Sequence, residues 1–236
     1  MREMITCEGL TKRYGSLTAL HQVDLKLESG RIIGLLGPNG SGKTTFIKLA
    51  NGLLKPTEGK ILIQGKKPGP ETKGMVSYLP DADYLPDWMS IQKLLDLFAD
   101  FYTDFDMVKA KEMLVQLKLE QGRKLKSLSK GNKEKVQLIL AMSRKASVYF
   151  LDEPIGGVDP AARDFILNTI IRNYSEDAVV VLSTHLIADI ERILDEAVFI
   201  REGEILFHRS VDEIRETEGK SVDAYFREVF RCWENY

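Results

Sequence analysis

"RIIGLLGPNGSGKTT", Arg31 to Thr45, decides the fold. Ile32, Ile33, Leu35 and Leu36 make a short apolar run that stops at Gly37, which reads as a buried strand. Gly37 to Thr44, "GPNGSGKT", then fits G-x-x-x-x-G-K-[ST], and a helix is expected from about Gly42. Gly37, Gly40 and Gly42, with Pro38, Asn39 and Ser41 between them, let the loop wrap closely with its N–H groups inward. Lys43 can reach the β- and γ-phosphates of a nucleotide, and Thr44, followed by Thr45, can place its hydroxyl on Mg²⁺. This motif alone does not separate a kinase, a GTPase or a motor.

A partner for the loop lies further along. "VYFLDEP", Val148 to Pro154, buries four apolar residues and then delivers Asp152 and Glu153 at a strand's carboxyl end. Ligands bind at such ends in open α/β sheets. Asp152 is the natural partner for Mg²⁺, and Glu153 can polarise an attacking water as general base. "VVVLST" brings His185 to another strand end, where an imidazole can touch a γ-phosphate or hold the water. His21 and His208, at expected turn or hairpin positions, read as satisfied surface histidines.

The remaining pattern is α/β. "MITCEGL", "ALHQVDLKL" and "GKILIQG" read as strands in a strand-rich opening third. "IQKLLDLFADFY", "DMVKAKEMLVQLKL" and "KEKVQLILAMSR" space their apolar residues as helices, so the middle resembles an insertion. "DPAARDFILNTIIRNY" is a helix capped by Asp159 with Pro160 at its first position. "LIADIERIL" is expected to be a helix, "AVFIREGEILFHR" a hairpin, and the tail short helices. Strands alternating with helices imply a mainly parallel sheet covered on both faces. The chain is read as one domain over 1–236. Residues 1–85 and 140–210 form the core, 86–139 a helical subdomain and 211–236 a short tail.

Bulk properties narrow the partners. The 236 residues carry 33 basic and 35 acidic side chains, a net charge of −2, which gives no reason to expect nucleic acid or anionic lipid as the main ligand. The two cysteines, Cys7 and Cys232, make no framework and read as reduced thiols of an intracellular protein. "MREMITCEGL" lacks a long apolar segment, and the longest apolar runs are too short to span a bilayer. Work at a membrane would need another chain to do the spanning.

A second phosphate-facing element remains. "KSLSKGNKEKVQL" sets Ser129, Gly131 and Asn132 at a helix start, where backbone N–H groups favour an anion. With "GPNGSGKT", "LSKGN", "YFLDEP", "GGVDP" and "STH" in that order, about Met4 to Arg209 resembles the ATP-binding subunit of an ABC transporter. The resemblance implies a P-loop ATPase core with an N-terminal antiparallel β subdomain and an inserted helical subdomain. It also implies ATP and Mg²⁺ as ligands, and head-to-tail pairing with a second nucleotide-binding subunit, identical or not. An integral membrane subunit is the further partner, placing the chain in the cytoplasm on the inner face of the cell membrane.

The resemblance also distributes roles. "LSKGN" resembles the family's LSGGQ signature, so Ser129 and the amides near Gly131 would complete the ATP site of the other subunit. Tyr14, in "TKRYGSLTAL", matches the aromatic that stacks on adenine, and Asp159 the loop that couples the two ATP sites. "SYLPDADYLP" matches the glutamine loop, with Asp81 where a glutamine is usual; an aspartate there can reach Mg²⁺ through water. The stretch Asp81 to Trp88 is expected to border a groove for the membrane partner. Lys130 replaces the signature's first glycine, as in ATPases paired with separate exporter-type membrane subunits, and Asn132 and Val158 are further departures. Glu153 and His185 are both kept, so hydrolysis is expected. Other ATPases with this head stay open: a chromosome or repair ATPase would show long heptads, a translation factor two cassettes, and a regulatory switch slow turnover.

Overall fold

A computed structural model describes residues 2–156, 160–175 and 177–231. Asp159, Val158 and Cys232 lie outside the described residues. Two sheets organise the chain. The first is antiparallel, order β2-β1-β4, from β1 (Glu3–Tyr14), β2 (Leu17–Glu28) and β4 (Glu58–Ile63). The second has order β5-β6-β7-β3-β8-β9. Its strands are β3 (Arg31–Leu36), β5 (Val76–Leu79), β6 (Val148–Asp152), β7 (Val179–Thr184), β8 (Glu196–Arg201) and β9 (Glu204–Ser210). The pairings are parallel except for the β8–β9 hairpin.

Side-chain alternation along the central strands explains why both sheet faces are covered. Ile33, Leu35, Phe150, Val179 and Val181 point to one apolar cluster, closed by the antiparallel sheet and by α1 (Lys43–Ala50). Ile32, Leu36, Tyr149, Leu151, Val180 and Leu182 point to the other. That second face is covered by α3 (Ile91–Phe101), α4 (Met107–Gln116), α5 (Lys130–Met142) and α6 (Pro160–Asn173) among other elements. Every residue of β6 and β7 is buried, which is why these strands read as continuous apolar runs.

The helices α3 to α5 arise in the segment read as an insertion. Ser90 and Asp106 cap α3 and α4, accepting from Lys93 N–H at 3.4 Å and Lys109 N–H at 3.0 Å. Helix α5 runs unbroken through residue 140 and so carries the helical block directly onto the core. Its end is fastened by Arg144, which is 3% exposed. Arg144 pairs with Asp104 at 2.6 Å, donates to the carbonyls of Gly74 and Val76 at 3.1 and 3.3 Å, and stacks on Tyr102.

Some elements differ from the sequence reading. Strand β5 and the short α2 (Pro70–Lys73) were not expected; each spans four residues. "LIADIERIL" is helical only over α7 (Ile187–Ile190) before a 3-10 turn. Just after the 3-10 turn the Asp195 carboxylate accepts from Ile32 N–H at 2.7 Å, where the chain returns to the sheet at β8. His21 lies within β2 rather than in a turn, beside a left-handed Gln22, and contacts Glu204 at 2.9 Å. His208 faces Glu196 at 2.6 Å in the hairpin. The tail folds as α8 (Val211–Glu218) and α9 (Val222–Arg231). Phe226 and Phe230 of α9 pack on Phe199 of β8. Cys7 is a free, buried thiol.

Candidate nucleotide site

The phosphate loop is built by its glycines. Gly40 and Gly42 have φ of 80° and 111°, a region that L side chains avoid. At Gly42 a Cβ would also meet Ala19 O of β2 at 2.7 Å, so the loop lies directly on the antiparallel sheet. Helix α1 starts with no side-chain cap and no acidic residue in its first turn. Its first N–H groups and its dipole are thus presented to an anion.

Lys43 is only 6% exposed. Its Nζ donates to the loop's own carbonyls, Gly37 O at 2.7 Å and Pro38 O at 3.0 Å. Burial lowers its pKa, while the nearby Glu153 and Asp152 carboxylates pull it back up. The ammonium is therefore poorly compensated, and a triphosphate seated in the loop would relieve it. Ser41 Oγ, within the same loop, is buried without a hydrogen-bond partner.

Asp152 ends β6 at 1% exposure. Its Oδ1 accepts from Thr44 Oγ1 at 3.3 Å and from Ser183 Oγ, whereas Oδ2 has no partner. Burial raises its carboxyl pKa; the two hydroxyls oppose that, and Asp81 and Glu153 add to it. A buried carboxylate oxygen without a donor, beside a threonine hydroxyl, is a fitting donor set for Mg²⁺. Among the described residues no cluster of three or more His, Cys, Asp or Glu side chains could hold a metal by itself.

Glu153 follows with φ +50°, a left-handed backbone that costs a bulky residue about 1–2 kcal/mol. The strain is held by fixed contacts. Glu153 N–H donates to Ser183 O at 2.9 Å, and Oε2 accepts from Thr184 Oγ1 at 3.0 Å. His185 Nδ1 lies 3.1 Å from both carboxylate oxygens. Ser183 and Thr184 thus position the acids. Their signal was the "ST" that ends an apolar strand, although only the following His185 drew a role from the sequence.

Asn39, Asp81, Asp152, Glu153 and His185 line one cleft of about 290 Å³, together with Lys130, Glu134 and Gln137 of α5. Asp81, after β5, is thereby brought to the acids. Tyr14 ends β1, 44% exposed, with Lys12 Nζ 5.0 Å from its ring centre. It belongs to the β1–β2 hairpin whose Ala19 abuts Gly42. Ser129 caps α5, accepting from Asn132 N–H at 3.4 Å, and is exposed. Neither Ser129 nor Gly131 lines the cleft. A second groove, of about 480 Å³, runs between core and helical block past Leu53, Tyr78, Tyr84, Phe98 and Tyr102. Pro80 and Tyr84 border it, but Trp88 does not.

Comparison with known proteins agrees with this geometry. The family model described as "ABC transporter" matches residues 20–156. The ABC transporter ATP-binding protein YtrB of Bacillus subtilis is 30% identical over 229 residues, covering 96% of this chain and 78% of its own. The ABC-type transporter ATP-binding protein EcsA of the same organism is 31% identical, with 92% and 91% covered. A solved ATP-binding subunit of an ABC transporter is 28% identical with a TM-score of 0.86, covering 96% of this chain and 99% of that one. A dimeric bacterial ABC transporter cassette, 24% identical with a TM-score of 0.78 over 88% and 98% of the two chains, shares the fold.

Proposed function

The chain belongs to the family of ABC transporter ATP-binding proteins, and from that premise we propose how its own residues carry out the work. It binds ATP and hydrolyses it to ADP and phosphate, and the cycle powers transport. Lys43 and the N–H groups of Gly37 to Thr45 hold the phosphates, and Tyr14 stacks on the base. Thr44 and Asp152, with Asp81 through water, hold Mg²⁺, which when bound neutralises charge on the phosphate oxygens. Glu153 accepts the proton of the attacking water. His185, turned toward Glu153 by its Nδ1, keeps its other ring nitrogen for the γ-phosphate.

One observation carries the assembly. Asp152, Glu153 and His185 line one cleft that Lys130 of α5 also borders, whereas the exposed Ser129 beside it does not line it. On this reading the hydroxyl of Ser129, which points to solvent-accessible space at the start of α5, is offered to the nucleotide of a second chain. Two copies related by a twofold axis make that contact twice, so the assembly is a symmetric dimer closed on two ATP. Asp159 couples the two sites.

Among the described residues no helix is long and apolar enough to cross a membrane. The transport path is a separate membrane-spanning subunit. A short helix on its cytoplasmic face seats in the groove at Leu53, Tyr84 and Tyr102; Leu53 and Tyr84 are 56% and 44% exposed. The chain works in the cytoplasm on the inner membrane face, and the direction is export, on the lysine of its signature, Lys130. Isothermal calorimetry with Lys43→Ala tests the nucleotide site: ATP binding is lost or strongly weakened, and affinity equal to the parent's would refute the assignment.

A further inference from the structure

The loop that carries Asp81 is tied to helix α5 at several points. Lys133, one turn into α5, reaches back to Asp83 at 3.3 Å and also to Asp87. Its side chain is 18% exposed, and the ammonium lies between two carboxylates that are themselves 48% and 61% exposed. One turn further, Gln137 is 4% exposed and donates to Asp83 Oδ1 at 3.2 Å. The loop's far end is zipped to the segment leading into Ser129. Lys126 N–H donates to Asp87 O and Leu125 N–H to Met89 O, each at 3.0 Å. At its near end Ser77 of β5 donates to Ala141 O of α5 at 2.7 Å.

The ties to the Asp83 and Asp87 carboxylates are charge-assisted, and two of them pass through Lys133. Without Lys133, Asp87 would lose its cation and Asp83 would keep only the neutral Gln137 amide, in a cluster of like charge with Asp81 and Glu134. Glu134 already has a buried oxygen without a partner. The remaining ties at Gln137 and at the loop's two ends would hold it more loosely to α5, and the position of Asp81 at the cleft would be less fixed.

We propose that Lys133 is a positioning residue that pins the Asp81 loop to α5, so that Ser129 at the helix start and Asp81 at the cleft move as one body. A shift of α5 thereby changes what faces the partner's nucleotide and what faces its own in the same stroke. This rests on the reading that Asp81 serves the nucleotide site.

A double-mutant cycle on the full chain, read as kcat and KM for Mg-ATP, tests it. Asp81→Ala alone measures the worth of Asp81. Lys133→Met, which keeps the stem and drops the charge, lowers kcat/KM by about 5–20-fold, a usual coupling range. In the Asp81→Ala background the same change has little further effect, and Lys133→Arg restores most of the parent rate. A full additional loss in that background overturns the proposal. An Asp81→Ala protein with parent kinetics overturns the reading beneath it, and the single mutant alone reveals that. Should Lys133→Met fold poorly by circular dichroism, Asp83→Asn/Asp87→Asn makes the same cut from the loop side. Trp88 gives a physical readout: with Trp233→Phe it is the single tryptophan of the chain. Its nanosecond anisotropy falls in Lys133→Met if the pin is real, and an unchanged decay contradicts it.

Discussion

Glu153, the base of the proposed reaction, sits on a backbone that its side chain disfavours. Contacts from Ser183, Thr184 and His185 hold it there, so the carboxylate is aimed before any substrate arrives. Glu153→Gln keeps the shape and removes the base: ATP binding stays near the parent's while turnover falls roughly 10²–10⁴-fold. Phosphate release beside calorimetry checks both halves. Asp152 shows the opposite economy, a buried acid whose folded pKa is raised by burial. Its contribution to stability is present in full below the unfolded pKa and is lost as pH rises through the folded one. Asp152→Asn removes that dependence. The nucleotide-free variant is more stable than the parent at neutral pH by about 1 kcal/mol, and the gap closes as pH falls into the carboxylate range. Scanning calorimetry across pH, without nucleotide, reads the difference directly. At this scale the placing of Lys43 in the loop and of Asp152 and Glu153 at the end of β6 was legible from spacing, because motif and strand end leave few alternatives. Ser183 and Lys133 were not, because their roles depend on what folding sets beside them.

Between residue and domain, helix α5 does two jobs. Its start presents Ser129, and its end is locked to β5 through Arg144. Arg144→Ala leaves Asp104 and the carbonyls of Gly74 and Val76 without their buried donor, and destabilises the fold by about 3–5 kcal/mol in urea melts. Ser129→Ala behaves differently. Its capping bond is long, 3.4 Å, so the stability cost stays near 0.5 kcal/mol, the low end for a lost cap. Turnover nevertheless drops more than that loss explains, because the hydroxyl acts on a second subunit. Strands β3, β6 and β7 could be read from sequence because both of their faces are buried. Strand β5 could not: it is four residues at a sheet edge, and its Ser77 interrupts the apolar pattern to bond α5. The helix expected at "LIADIERIL" gives way to a 3-10 turn just before the Asp195 tie to Ile32, a contact no periodicity displays.

For the whole molecule, the order of motifs along the chain announced a nucleotide core with a helical block. Folding adds their placement, with Asp152, Glu153 and His185 at one cleft and the exposed signature serine beside Lys130 at its border. The central claim is that this serine serves a second copy. Sedimentation of Glu153→Gln at saturating Mg-ATP measures it most directly. A single 26.7 kDa chain without nucleotide should become a species of twice that mass with it, and Ser129→Arg in the same background should abolish the change. A protein that is saturated with ATP yet stays at one chain's mass would contradict the account.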